Sequence, residues 1–116
     1  MARLSTHVLD TVLGRPAAGV AVKLYSMHGD RHLVASAKTN VDGRTDDPLL
    51  NDETFIAGRY ELEFAIGEYF AQQGTDGVSE PPFLDDVVIR FNLRDGENYH
   101  VPLLASPWSY STYRGS

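Results

Sequence analysis

The sequence predicts an all-β fold, a sandwich of two packed antiparallel sheets, and three observations carry that expectation. Apolar and polar residues alternate with period two along most of the chain. Clusters of Gly, Pro, Asn and Asp interrupt the alternation at short intervals, as turns between strands do. Only one stretch has helical character. With 116 residues the chain fits a single domain, 1–116, built on one core without an internal linker.

The elements follow in order. "LSTHVLD", residues 4–10, reads as a first strand, and "GRPAAG", residues 14–19, as the turn after it. Val20, Val22 and Leu24 then alternate with Lys23 and Tyr25, the pattern of a half-buried strand. Leu33, Ala35 and Ala37 repeat that pattern after "HGD". Tyr60, Leu62, Phe64 and Ile66 point one way while Glu61 and Glu63 point the other. The segment "GEYFAQQG", residues 67–74, is the helix, about two turns of reasonable helix formers with Gly74 as its stop. "TDGVSEPPF" after it is irregular. Val87, Ile89, Phe91 and Leu93 oppose Val88, Arg90, Asn92 and Arg94 in another strand, and "DGEN", residues 95–98, reads as a hairpin-like connection to the strand at 99–105. "SPWS" separates that strand from a last one at 108–114, giving about eight strands in all. Pro102 is discordant, because proline cannot donate to a ladder; it belongs on an edge strand, or where the missing donor faces away from a partner.

Composition narrows the function. A net charge of -6 argues against a nucleic-acid partner, which favours a basic face. The absence of cysteine excludes disulfides and thiolate metal sites. No stretch approaches the roughly 20 apolar residues that span a bilayer, and "MARLSTHVLDTV" lacks the apolar core of a signal peptide, so the expectation is a cytoplasmic protein without a membrane partner.

Five polar residues break the apolar pattern: His7, Arg44, His100, Tyr113 and Arg114. Each histidine, taken alone, fits a hydrogen-bonded strand residue as well as a proton-transfer group with an ordinary pKa of about 6.5. His28 and His32 flank a turn and read as solvated. The four histidines include no HExxH, so no metal is expected. Arg44 follows the tight turn "NVDG" and is either a solvated turn cation, paired with Asp46 or Asp47, or a planar donor aimed at an anionic or carbonyl-rich ligand. The adjacent carboxylates Asp46-Asp47 and Asp85-Asp86 point to opposite faces of an extended chain and make no acid/base dyad. These residues by themselves choose no reaction.

Two stretches resemble the transthyretin family. One is "HVLDTVLGRPAAGVAV", residues 7–22; the other is "YHVPLLASPWSYSTYRGS", residues 99–116, and "TNVDGR" and "GRYELEF" extend the likeness across the chain. The terminal Tyr-Arg-Gly-Ser resembles the 5-hydroxyisourate hydrolase branch rather than the hormone carriers, although "PWSY" stands where "PYGY" is common. The resemblance implies a transthyretin-like (prealbumin-like) sandwich of two four-stranded antiparallel sheets with one short helix. It implies a homotetramer, a dimer of dimers with substrate sites where dimers meet, and hydrolysis of 5-hydroxyisourate without metal or organic cofactor. By the same resemblance His7, Arg44 and His100 are the catalytic set, and His7, Arg44, Tyr113, Arg114, Gly115 and Ser116 bind substrate. The alternative is a carrier of a small ligand, whose channel would be more apolar.

Overall fold

A computed structural model describes residues 2–115. Eight strands and one helix follow one another: β1 (Arg3–Asp10), β2 (Arg15–Pro16), β3 (Ala21–Ser26), β4 (His32–Lys38), β5 (Gly58–Phe64), α1 (Ile66–Gln73), β6 (Val87–Leu93), β7 (Asn98–Ala105) and β8 (Tyr110–Thr112). They form two four-stranded sheets, in the orders β2-β1-β7-β8 and β4-β3-β5-β6. Strict alternation fills the space between them: Leu4 and Val8 of β1, Val22 and Leu24 of β3, Leu62 and Phe64 of β5 and Leu103 of β7 are all fully buried. Each such side chain contributes about 1.5–3 kcal/mol by leaving water. The helix closes one end of the core with Ile66, Tyr69 and Phe70, and it stops at the expected Gly74, whose N–H returns to the carbonyls of Ala71 and Phe70.

Four details depart from the sequence-based expectation. The first is that β1 and β7 pair in parallel, from Arg3 against Asn98 to Asp10 against Ala105, while every other strand pair is antiparallel. Parallel neighbours need a long crossover, and here the whole second sheet lies in sequence between them. For the same reason the "DGEN" turn is no hairpin: it carries the chain from β6 in one sheet to β7 in the other. Leu33 does not share a face with Ala35. The register shifts between Leu24, opposite Ala35, and Tyr25, opposite Leu33, so Val34 is bulged out and Leu33 turns to the outer face, 51% exposed.

Pro102 is the fourth. Its strand is internal, between β1 and β8, and its missing donor faces β8. His100 exchanges two backbone hydrogen bonds with Gly115, and Leu103 opposes Thr112, so the continuous register sets Tyr113 opposite Pro102. Proline cannot complete that step of the ladder, and the Thr112 hydroxyl donates to the Pro102 carbonyl instead, at 2.7 Å. The last strand is thereby split into β8 and a separate bridge at Gly115.

Candidate active site on the outer face of the β1 sheet

Alternation along β1 decides which side chains reach the outside. Leu4, Thr6, Val8 and Asp10 are buried, so Arg3, Ser5, His7 and Leu9 face outward. The parallel register then sets Ser5 beside His100 and His7 beside Pro102. Two histidines far apart in sequence become diagonal neighbours, with ring centroids 6.4 Å apart and planes inclined by 43°.

The turn at residues 40–44 docks on this face. Asn40 organises it: its Oδ1 accepts from the N–H groups of Asp42 (2.9 Å) and Arg44 (3.3 Å), and its Nδ2 donates to Asp46 Oδ1 at 3.0 Å. Gly43 attaches the turn to β1 through its carbonyl, which accepts from Val8 N–H at 2.8 Å. Its φ of +77° suits glycine, and any Cβ there would collide with the Val8 carbonyl oxygen. Arg44 therefore bridges directly to His7. Asp46 is committed to Asn40, and Arg44 is exposed and takes part in none of the ion pairs among the described residues. The turn cation is held in place with no carboxylate among the described residues to neutralise it.

Hydrogen bonding orients both imidazoles. His7 Nε2 lies 2.7 Å from the Asp42 carbonyl, which can only accept, so Nε2 carries the proton and neutral His7 presents its lone pair at Nδ1. His100 Nδ1 shares a hydrogen bond of 2.9 Å with Ser5 Oγ. Burial lowers the His100 pKa below its ordinary 6.5, and repulsion from the Arg44 guanidinium, and from His7 whenever that ring is protonated, lowers it further. His100 is thus neutral at neutral pH, as a base must be. An open cleft of about 420 Å³ is lined by Arg3, Ser5, Arg44, Asn98, Tyr99 and His100, while His7 is outside that lining, next to His100. Among the described residues no three His, Cys, Asp or Glu side chains gather as a metal site.

The C-terminal residues divide. Gly115 joins the site: its N–H donates to the His100 carbonyl at 2.7 Å, and an added Cβ would stand 3.2 Å from His100 Cβ. Arg114 does not. Its guanidinium lies 4.5 Å over the Tyr99 ring and donates to Glu97 Oε1 at 3.0 Å and to the Asn98 carbonyl at 3.3 Å. Tyr113 is 61% exposed, and with Arg114 it borders a separate groove next to Ile89 and Phe91 of β6. Ser116 lies outside the described residues. One chain therefore brings together His7, Arg44, His100 and Gly115, while Tyr113 and Arg114 turn toward the strand edges.

Sequence reasoning missed Ser5, Asn98, Arg3 and the Asp42 carbonyl. Ser5 and Asn98 each stand two residues before a histidine on the same strand face, a signal that period-two spacing carried. The role of the Asp42 carbonyl depends on the docking of the turn, which no local pattern encodes.

With this geometry in place, residues 4–115 match the family model described as the HIUase/Transthyretin family. The chain belongs to the HIUase/Transthyretin family. Within the family it resembles 5-hydroxyisourate hydrolase 2 of Rhizobium meliloti, 53% identical over 116 residues that cover 98% of this chain and 96% of that protein. Among solved structures, 5-hydroxyisourate hydrolase of Klebsiella pneumoniae is 35% identical with a TM-score of 0.82, each chain covered fully. An (S)-allantoin synthase is 45% identical with a TM-score of 0.92 over 99% of this chain, which spans only 44% of that longer protein.

Proposed function

We infer that this chain is a 5-hydroxyisourate hydrolase, opening the six-membered ring of 5-hydroxyisourate with water to give 2-oxo-4-hydroxy-4-carboxy-5-ureidoimidazoline. The observation that carries the reading is the outer face of the β1 sheet. There neutral His100 and Arg44, which has no carboxylate partner among the described residues, line one open cleft, with the His7 ring 6.4 Å from that of His100. Hydrolases of this name at 53% and 35% identity support it.

The chemistry follows from the groups present. A water oxygen bonds to a ring carbonyl carbon while a histidine takes its proton; the ring C–N bond then breaks and the leaving nitrogen receives a proton. His100, kept neutral, is the base. His7, anchored by its Nε2–H on the Asp42 carbonyl, keeps the Nδ1 lone pair as a second proton acceptor. Arg44 holds the substrate's carbonyl or anionic oxygen and stabilises the oxyanion as charge develops. Gly115 leaves room for the His100 ring. A carrier cleft would be apolar; this one is bordered by two arginines, a histidine, a serine and an asparagine.

The same reading includes a cytoplasmic homotetramer, a dimer of dimers with the sites between dimers. No helix among the described residues is long and apolar enough to cross a membrane. Two features support assembly. The edge strands β6 and β8 flank an apolar groove of about 200 Å³, and unpaired edges invite pairing with a second copy. Val12, Leu13 and Trp108 stand 44%, 50% and 51% exposed in the loops that follow β1 and β7. In the assembly Tyr113 and Arg114 complete substrate binding from the strand edges, Ser116 is assigned to substrate binding with them, and light scattering is expected to return the mass of four chains.

The function is tested by generating 5-hydroxyisourate in situ with urate oxidase and following its ultraviolet decay. The protein is expected to accelerate the decay well above the spontaneous rate; an unchanged decay would sink the reading.

A further inference from the structure

His100 is bounded on both sides within its own sheet. Toward β8, Gly115 exchanges two backbone hydrogen bonds with it and brings no side chain; a Cβ there would stand 3.2 Å from His100 Cβ and 3.4 Å from Cδ2. Toward β1, the parallel register sets Ser5 directly beside it, with Oγ 2.9 Å from Nδ1. That part-buried bond is the single side-chain hydrogen bond of either residue among the described residues.

A serine hydroxyl both donates and accepts, so it can satisfy either state of Nδ1. The choice matters because a neutral imidazole holds one proton, and the nitrogen without it is the base. If Nδ1 holds the proton, Nε2 on the opposite side of the ring carries the lone pair. Were Ser5 to donate instead, the lone pair would be consumed inside the sheet and Nε2 would be no base. Ser5 Oγ has no competing side-chain donor among the described residues, so its oxygen is free to accept.

We propose that Ser5 is the positioning residue of His100: its hydroxyl accepts the Nδ1 proton, holds the ring between β1 and Gly115, and leaves Nε2 as the lone-pair nitrogen available to the cleft. This deepens the hydrolase reading and rests on it for its catalytic consequence. The two histidines then carry opposite tautomers, each set by its own acceptor: a backbone carbonyl holds Nε2–H of His7, and a hydroxyl holds Nδ1–H of His100. Serine suits the position because a hydroxyl accepts without adding a charge to a face that already carries Arg44 and Arg3.

The test uses the intact protein and the variants Ser5→Ala and Ser5→Thr, with two readouts. Nitrogen-15 NMR of the imidazoles reads the His100 tautomer above its titration, and steady-state hydrolysis of 5-hydroxyisourate gives kcat and KM. The charged and titratable groups around the ring are Arg44 from the turn and His7 and Arg3 from β1, and none of them changes in these variants. Wild-type His100 is expected in the Nδ1–H form. Ser5→Ala loses that preference and about tenfold in kcat, the weight of one ordinary hydrogen bond, with KM nearly unchanged; Ser5→Thr restores both. A wild-type Nε2–H tautomer, or a Ser5→Ala protein that keeps both tautomer and kcat, overturns the proposal. If the wild type hydrolyses nothing, the hydrolase reading falls, and the tautomer of His100 still decides the role of Ser5.

Discussion

The two sheets turn opposite kinds of outer face to solvent. On the β3 sheet, charges neutralise one another. Glu61, only 3% exposed, accepts from Arg31 at 2.8 Å and from Arg90 at 3.0 Å, Arg31 also reaches Glu63 at 3.2 Å, and its guanidinium lies 3.5 Å over the Tyr25 ring. On the β1 sheet, Arg44 pairs with no carboxylate among the described residues and two histidines sit side by side. A face whose charges are satisfied has nothing left to offer a ligand. A face whose cation and bases are held by neutral partners keeps its charge for one, at some cost to the fold.

Breaking the β1 face gives the largest effect. Arg44→Ala, His7→Ala and His100→Ala are each expected to lower kcat/KM for 5-hydroxyisourate by about 10²–10⁴-fold, the usual weight of a proton-transfer group or oxyanion donor. Circular dichroism melts should move little, because none of the three is part of the buried core. Gly43→Ala comes next and damages fold and site together. A Cβ at φ +77° that collides with the Val8 carbonyl costs roughly 1–3 kcal/mol, so the melting temperature falls and the rate falls with it as Arg44 shifts.

Two smaller effects sharpen the contrast. Removing the charge in Arg44→Gln takes away a cation that disfavours protonated His100, so its pKa, read by NMR titration, rises toward 6.5 but stays below it because burial remains. In the wild type the acid limb of kcat/KM accordingly lies below pH 6.5. On the β3 face, Glu61→Gln should leave hydrolysis unchanged and reduce stability by no more than about 1 kcal/mol, since the Arg31 and Arg90 side chains are 42% and 69% exposed. Burial raises the Glu61 pKa, but the hydrogen bonds from Arg31 and Arg90 outweigh it and leave it below its ordinary 4.5. Its stabilising contribution is therefore present above that value and is lost as pH falls through the depressed pKa. Urea melts from pH 7 downward should show the Glu61→Gln deficit at pH 7 and its progressive loss only below pH 4.5.

Much of the fold was legible because period-two patterning is local. β5 and β6 show it most clearly, and Gly74 marked the end of the helix. What stayed hidden depends on partners remote in sequence. The parallel pairing of β1 with β7 and the crossover at "DGEN" follow from how the sheets stack, and the bulge that turns Leu33 outward is set by the register against β3. The site divides in the same way. His7, Arg44 and His100 were named from residue type and family resemblance, yet their meeting required the Gly43 dock and the parallel register. Arg114 is the instructive difference: terminal residues adjacent in sequence were expected to serve one pocket, but within one chain Arg114 pairs with Glu97 and stacks on Tyr99 while Gly115 lies against His100.

The most direct measurement compares the two faces in one assay: the decay of enzymatically generated 5-hydroxyisourate with equal amounts of folded wild type, His100→Ala and Glu61→Gln. Rapid decay with wild type and Glu61→Gln and near-spontaneous decay with His100→Ala is the predicted result. Full activity in His100→Ala, or equal loss in both variants, would contradict the assignment of hydrolysis to the β1 face.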